Sequence, residues 1–195
     1  MRAITAVISF VLGTLYVTDP LYPPNAASGG TVIAELRIAE GNVKEVAILS
    51  GTEPFAGSCT SALSQWRLQP DVKGSQLAVV YFRQPYLYNL SAVEEEIRPA
   101  KSPPQLPYPR HVVQPLYPPN ALAQGGVIMR ADISDEGRVL NVETIKGMGI
   151  LTGSSVDALK RWQFVPAQNE KGKKIASKAY VVFVFRFPLT VPRGR

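Results

Sequence analysis

The sequence predicts an α+β fold built from two similar halves. Three observations support this prediction: an internal repeat of about 95 residues, an alternation of apolar and polar residues typical of half-buried strands, and a short helical pattern around each of two tryptophans. With 195 residues, of which 46% are hydrophobic and 18% charged, the chain can bury the core of one ordinary domain or two small ones. The 17 prolines and 15 glycines favour many turns over a helical bundle.

The repeat opens with a heptapeptide, PLYPPNA, that occurs unchanged at residues 20–26 and 115–121. Equivalent residues are 95 positions apart up to the first turn and 96 positions apart after it, because the second copy has one more residue in that turn. Trp66 and Trp162 are equivalent near the end of the match. So many matches in the same order indicate a tandem repeat.

Each copy is predicted to contain a β-hairpin, a helix and a last strand, which form a small antiparallel sheet with the helix across one face. Gly137 supplies the positive φ angle that the hairpin turn of the second copy needs. Each helix carries its tryptophan on the apolar side, and the last strands cover about residues 77–83 and 180–187. The residues of the first hairpin strands predicted to face the core are Val32, Ala34, Leu36 and Ile38 in the first copy and Val127, Met129, Ala131 and Ile133 in the second.

The region between the copies has a different composition. Three glutamates at residues 94–96 are followed by five prolines between residues 99 and 109, which favours an extended spacer between separate modules. The predicted segments are a leader, anchor or extra strand at residues 1–18, the first copy at 19–88, an acidic then proline-rich linker at 89–110, the second copy at 111–188 and a tail at 189–195.

The N-terminal segment has two interpretations. An apolar run follows Arg2 and extends to Val17, which fits a secretory leader or a membrane anchor, although no A-x-A cleavage site follows it. The run is short for a membrane span of about 20 residues. Its β-favouring residues fit a buried strand equally well. Both interpretations stay open at the level of the sequence.

Composition argues against several classes of function. One cysteine and one histidine exclude an intramolecular disulfide, a zinc site built on several thiolates and a multi-histidine metal centre, and no cofactor is predicted. Cys59 and His111 are interpreted as structural or incidental. Residues 1–98 carry 7 basic and 9 acidic side chains and residues 99–195 carry 14 and 6, yet no nucleic-acid recognition motif accompanies this charge, so nucleic acid is not a predicted partner. No catalytic motif occurs, and the chain is not predicted to be an enzyme.

Several motifs of the second copy follow one another in a characteristic order. They are Gln114-Pro115-Leu116-Tyr117-Pro118, then Gly126-Val127-Ile128 entering a strand, an Asp-Glu-Gly turn, the block KRWQFVPA at residues 160–167, and the last strand VVFVF at residues 181–185. In this order they resemble the C-terminal domain of the TonB energy-transducer family over about residues 111–188. The first copy departs from the pattern, since Asp19 replaces the glutamine and Leu68 replaces the phenylalanine.

The resemblance implies a non-enzymatic domain in the periplasm or cell envelope that binds an extended peptide of an outer-membrane transporter. It also implies an N-terminal inner-membrane anchor coupled to a motor complex. The peptide is expected to add to the last strand of the second copy, whose edge would be unpaired. The partner-binding residues implied by the resemblance are Gln114, Pro115, Tyr117, Pro118, Tyr180, Val182, Val184 and Arg186. The alternative is a structural or assembly module that uses the same edge for a homodimer or for contact with another envelope protein.

Overall fold

The computed structural model describes residues 15–84, 93–98, 103–121 and 123–187, and residues 15–84 and 103–187 are called the front half and the rear half. The helices are α1 (Phe55–Leu63) and α2 (Ile150–Leu159). The strands are β1 (Gly30–Ala39), β2 (Asn42–Ser50), β3 (Gly74–Phe82), β4 (Glu94–Glu96), β5 (Tyr108–Val113), β6 (Gly125–Ile133), β7 (Val139–Lys146), β8 (Gln163–Val165), β9 (Ala167–Gln168), β10 (Lys174–Ile175) and β11 (Ser177–Phe185).

One six-stranded sheet runs through both halves in the order β2-β1-β3-β11-β6-β7. Within each half the strands pair antiparallel, and each half has the predicted order of hairpin, helix and last strand. The halves join where β3 and β11 pair in parallel, from Leu77 opposite Ala179 to Phe82 opposite Val184. The predicted α+β class is therefore confirmed. The prediction of separate modules is wrong, because the two last strands form one continuous sheet.

Each face of this sheet carries one hydrophobic core and one helix. The core against α1 contains Val182 and Val184 of the rear half, and the core against α2 contains Val79 and Tyr81 of the front half. Successive residues of a strand point to opposite faces, so β3 and β11 each contribute to both cores. Each core therefore contains side chains from both halves, and neither half completes its core alone.

The predicted core-facing residues of the first hairpin strands all belong to these cores. Residues on the opposite side of the same strands are buried as well: Ile33 lies in the core against α2, and Ile128 lies in the core against α1. The period-two pattern gave the correct inner face. The opposite side of each strand would face solvent if the pattern were followed throughout. It is partly buried instead, because the inner strands of the six-stranded sheet are covered on both faces.

The linker is not only a spacer. Strand β5 pairs with β4 on one side and β8 on the other, which forms a second, three-stranded sheet. Leu106, Tyr108 and Val112 are at most 6% exposed, and Tyr108 and Val112 belong to the core against α2. The prediction of an extended spacer is thus wrong for residues 103–110, since the apolar side chains between the prolines cover the core.

The N-terminal interpretations concern mainly residues 1–14, which lie outside the described residues, as do residues 188–195. Residues 15–18 belong to the front half: the backbone of Tyr16 exchanges two hydrogen bonds of 2.8 Å with Arg67, and the indole Nε1 of Trp66 donates to the Thr18 carbonyl at 2.8 Å. Among the helices of the described segments, none has the length and hydropathy to span a membrane.

Candidate peptide-binding surfaces

Strand β11 was the predicted site of strand addition, and it is paired on both sides. It pairs with β3 on one side and with β6 on the other. The prediction of an unpaired edge is wrong, because the front half supplies the neighbouring strand. The three side chains of β11 that the resemblance implies in peptide selection are Tyr180, Val182 and Val184, and all three lie in the core against α1. The Tyr180 ring packs edge-on against Trp66, with 5.7 Å between the ring centres.

The other implied peptide contacts also meet the front half. The side-chain oxygen of Gln114 accepts from the backbone N–H of Gln84 at 3.4 Å. The Nε of Arg83 donates to the Pro115 carbonyl at 3.0 Å, and its guanidinium lies 5.4 Å from the centre of the Tyr117 ring. Arg83 and Gln84, which follow β3, therefore occupy the place where the resemblance puts the transporter peptide.

A matching contact holds the first copy of the heptapeptide. Arg186, which follows β11, donates to the Ala26 carbonyl at 3.1 Å and lies 5.1 Å from the centre of the Tyr22 ring. Each half thus places the arginine after its last strand over the heptapeptide tyrosine of the other half. Cation–π contacts of this kind contribute about 0.5–2 kcal/mol each. Burial lowers the pKa of Arg83, but an arginine at neutral pH keeps its charge.

Pro118 has a local role in the structure. Its carbonyl accepts from the N–H of Ala121 at 2.9 Å, which closes the turn after the heptapeptide prolines. The Tyr117 hydroxyl donates to the carbonyl of Ala123 at 2.8 Å and so holds the same turn. These bonds fix the start of the segment that leads into β6.

Strand β4 brings two carboxylates close to the ring of His111. The Nδ1 of His111 lies 2.9 Å from a Glu96 oxygen, and its Nε2 lies 3.4 Å from a Glu94 oxygen. Glu94 also forms an ion pair with Arg161, which follows α2. The spacing of two between Glu94 and Glu96 was the signal that both side chains would lie on one side of a strand.

Two grooves lie at equivalent positions of the repeat, each between α1 or α2 and the segment that leads into the heptapeptide. The front groove has a volume of about 480 Å³, and the rear groove has a volume of about 130 Å³. Leu21, Ala62 and Gln65 line the front groove where Leu116, Ala158 and Arg161 line the rear groove. Neither groove could be predicted from the sequence, because each depends on how the segment before the heptapeptide packs on its helix.

Metal-ligating side chains do not cluster in the described residues, and the lone cysteine is buried. Within residues 15–84, 93–98, 103–121 and 123–187, no group of three or more His, Cys, Asp or Glu side chains could hold a metal ion. Cys59 is fully buried in α1. Burial, with a smaller contribution from Glu53, raises the pKa of its thiol to about 12, so the thiol is protonated and a poor nucleophile at neutral pH.

Cys59 is therefore expected to react with a disulfide reagent only when the chain unfolds. At pH 8 a folded sample should show no labelling on the time scale that labels a denatured sample completely. Absorbance of the released thiolate measures the reaction, and a variant with Thr60→Cys, which places a thiol at an exposed neighbouring position, is the control for reagent access. Labelling of native Cys59 at the rate of the control would contradict the buried position.

One comparison with known proteins gives a match. Residues 113–187 match the family model described as Gram-negative bacterial TonB protein C-terminal. The matched segment contains β6, β7, α2 and β11, and it confirms the resemblance for the second copy. No curated protein and no solved structure gives a significant match.

Proposed function

We propose that this chain is a non-enzymatic, TonB-like protein of the cell envelope that binds an extended segment of an outer-membrane transporter. The observation that carries the proposal is the family match over residues 113–187, which contain a complete hairpin–helix–strand unit. The resemblance adds a periplasmic position, an inner-membrane motor complex as a second partner and a role in energy-dependent uptake. Hydrogen bonds between strands resist shear along the strand, so a bound segment of this kind could transmit a pull.

The proposal includes a second TonB-like unit in the front half, although the family match does not reach it. The two heptapeptides are identical, and the order of hairpin, helix and strand is the same. Equivalent hydrogen bonds support the proposal: the indole of Trp66 donates to the Thr18 carbonyl at 2.8 Å, and the indole of Trp162 donates to the Val113 carbonyl at 2.9 Å. Donors and acceptors in both bonds are related by the spacing of the repeat.

The joint between β3 and β11 limits where a transporter segment can bind. A foreign strand on β11 would have to replace β3, of which residues 77–82 are at most 5% exposed. Exposing Leu77, Val79, Val80 and Phe82 alone costs about 1.5–3 kcal/mol each, and the sum is comparable to a typical total stability of about 5–15 kcal/mol. We therefore propose that the residues implied by the resemblance, apart from Pro118, hold the two halves together, and that the transporter segment binds at another surface.

A structural role is the second candidate, because the β3–β11 joint uses the expected binding edge to build one sheet from the two halves. Assembly with a second copy through the edge of β11 is wrong for the same reason. The strand that was expected to bind a partner or a second copy pairs instead with its repeat in the same chain. The outer strands β2 and β7 have register shifts at equivalent places, and they carry charged residues such as Glu45 and Glu143. Bulges and charges of this kind discourage pairing between sheet edges.

Transporter peptides are expected to bind the intact chain in an extended conformation. Short fluorescent peptides from the periplasm-facing N-terminal segment of TonB-dependent transporters are titrated with the protein, and anisotropy measures binding. A peptide with two central prolines is the control, since proline cannot donate to a strand. Losing two backbone hydrogen bonds should weaken binding about tenfold. Absence of saturable binding by every transporter peptide would overturn the proposed function and favour the structural role.

A further inference from the structure

The rear groove shows how an extended segment sits beside this kind of surface. Strand β4 pairs antiparallel with β5 there, with Glu95 opposite Val112. The N–H of Gln114 donates to the Val93 carbonyl at 2.8 Å, and Glu94 forms its ion pair with Arg161 at the rim of the groove. The chain thus holds a strand of its own on the edge next to the rear groove.

The equivalent edge in the front half is the lead segment, residues 15–19. The backbone N–H and C=O of Tyr16 face Arg67, so those of the next residue, Val17, face the opposite side. Val112 is the equivalent residue of the rear half, and its backbone faces β4. Among the residues that the structure describes, the N–H and C=O of Val17 have no hydrogen-bond partner. An extended edge with unpaired backbone groups is a template for an added strand.

The charges around the two grooves differ. Where the rear groove has Arg161 and Asp157, the front groove has Gln65 and Ser61. The carboxylate of Asp19, at the front groove, accepts from the N–H of Gly126 at 2.6 Å and forms an ion pair with Lys146. Its charge is therefore compensated within the chain. The front groove presents neutral side chains where the rear groove presents charged ones.

The front groove also offers apolar contact to an incoming segment. The Leu21 side chain is 82% exposed at its rim, and Pro23, Pro24 and Pro54 line it further. The volume of about 480 Å³ is sufficient for several side chains, and the groove is lined by Thr18 and Asp19, which follow Val17 in the lead segment. Specificity would come from side chains that alternate along the bound strand, and affinity from its main chain.

From these observations we infer that the front groove binds an uncharged, extended segment of the transporter partner, which adds antiparallel to residues 15–19 as β4 adds to β5. The identity of the partner rests on the proposed function. The location and the neutral character of the segment rest on the geometry of the two grooves. The inference assigns partner binding to the half of the chain that the family match does not cover.

The test compares two substitutions on neighbouring exposed residues of α1. Ser61 lines the groove and Thr60 does not, and both hydroxyls donate to the carbonyl four residues earlier, at 3.0 Å and 3.1 Å. Ser61→Arg places a long charged side chain in the groove and is expected to weaken peptide binding at least about tenfold, whereas Thr60→Arg should change it less than about twofold. Circular dichroism checks that both variants fold like the unchanged chain.

A gain-of-function variant keeps the test independent of lost stability. Gln65→Arg gives the front groove the cation of the rear groove, so it should shift preference toward a peptide with a glutamate by about tenfold relative to its glutamine version. Hydrogen exchange measured with bound peptide should show new protection at the amides of Val17 and Asp19.

The outcomes separate the two proposals. If a transporter peptide binds and Ser61→Arg binds it as tightly, the inference is overturned and the proposed function stands. If peptides bind only a chain that lacks residues 1–14, that segment fills the groove in the full chain, and the assignment of the groove to a partner is overturned. If no transporter peptide binds either chain, both proposals fail.

Discussion

Replacing Trp162 with alanine is expected to destabilise both halves of the chain together, by about 3–5 kcal/mol. The Trp162 ring is 1% exposed and packs edge-on against Phe183 at 5.4 Å and against Tyr81 at 6.2 Å. Phe183 belongs to the rear half and Tyr81 to the front half. The cavity would therefore weaken the joint between the halves and leave the Val113 carbonyl without its indole donor.

The substitution also leaves a fluorescent reporter in the other half. The chain has 2 tryptophans, so in Trp162→Ala the fluorescence of Trp66 alone follows unfolding of the front half in denaturant. If the sheet is one cooperative unit, the Trp66 transition shifts to lower denaturant. Leu140→Ala, which truncates an apolar side chain that is 69% exposed, is the control and should leave the midpoint almost unchanged. An unshifted Trp66 transition in Trp162→Ala would mean that the halves fold independently.

Much of each half could be predicted from local patterns in the sequence. The period-two alternation gave the inner face of β1 and β6. Trp66 and Trp162 are buried as expected, but the prediction that the helices carry them is wrong, because both lie just after the ends of α1 and α2. Such patterns reflect burial of one face of one element, which a few neighbouring residues determine. Because the halves are repeats, the order of elements predicted for the rear half could be transferred to the front half.

The pairing of β3 with β11 could not be derived in the same way, because it joins residues about a hundred positions apart. One signal of it was present. Both strands are apolar at nearly every position, in the sequences LAVVYF at residues 77–82 and AYVVFVF at residues 179–185. A strand that is buried on both faces is typical of the middle of a sheet, whereas an edge strand with one solvated face alternates. That composition argued against a free edge at β11.

The candidate site shows the same division between local and long-range information. The resemblance assigned Gln114 and Tyr117 to a transporter peptide, but the sequence could not show that Gln84 and Arg83 of the same chain contact them. The sequence also held a sign that Arg83 and Arg186 are equivalent in the repeat. Each follows the last strand of its half and has a proline two residues later. In the linker, the five prolines predicted an extended spacer, although apolar residues beside them form the start of β5.

The turn of the second hairpin is the other position where a single methyl group should have a large effect. Gly137 has a φ angle of 87°, and a Cβ there would overlap the backbone carbonyl oxygen of Phe164. The N–H of Phe164 donates to the Gly137 carbonyl at 2.8 Å, so the two backbones are held at this close distance. Gly137→Ala is expected to destabilise the chain by about 3 kcal/mol or more, because the strain of the φ angle adds to displacement of β8.

A second glycine separates the two costs. Gly172 has a φ angle of 74°, and a Cβ there would have no atom within 4 Å, so Gly172→Ala measures the φ cost alone, about 1–2 kcal/mol. Thermal unfolding of both variants gives the comparison. The front half repeats the arrangement, with Gly41 at a φ angle of 73° and its carbonyl accepting from Leu68 at 2.7 Å. If Gly137→Ala lowers the stability no more than Gly172→Ala does, the backbone at Phe164 moves away from the new Cβ without strain. The close contact in the turn would then not be what fixes β8 beside β5.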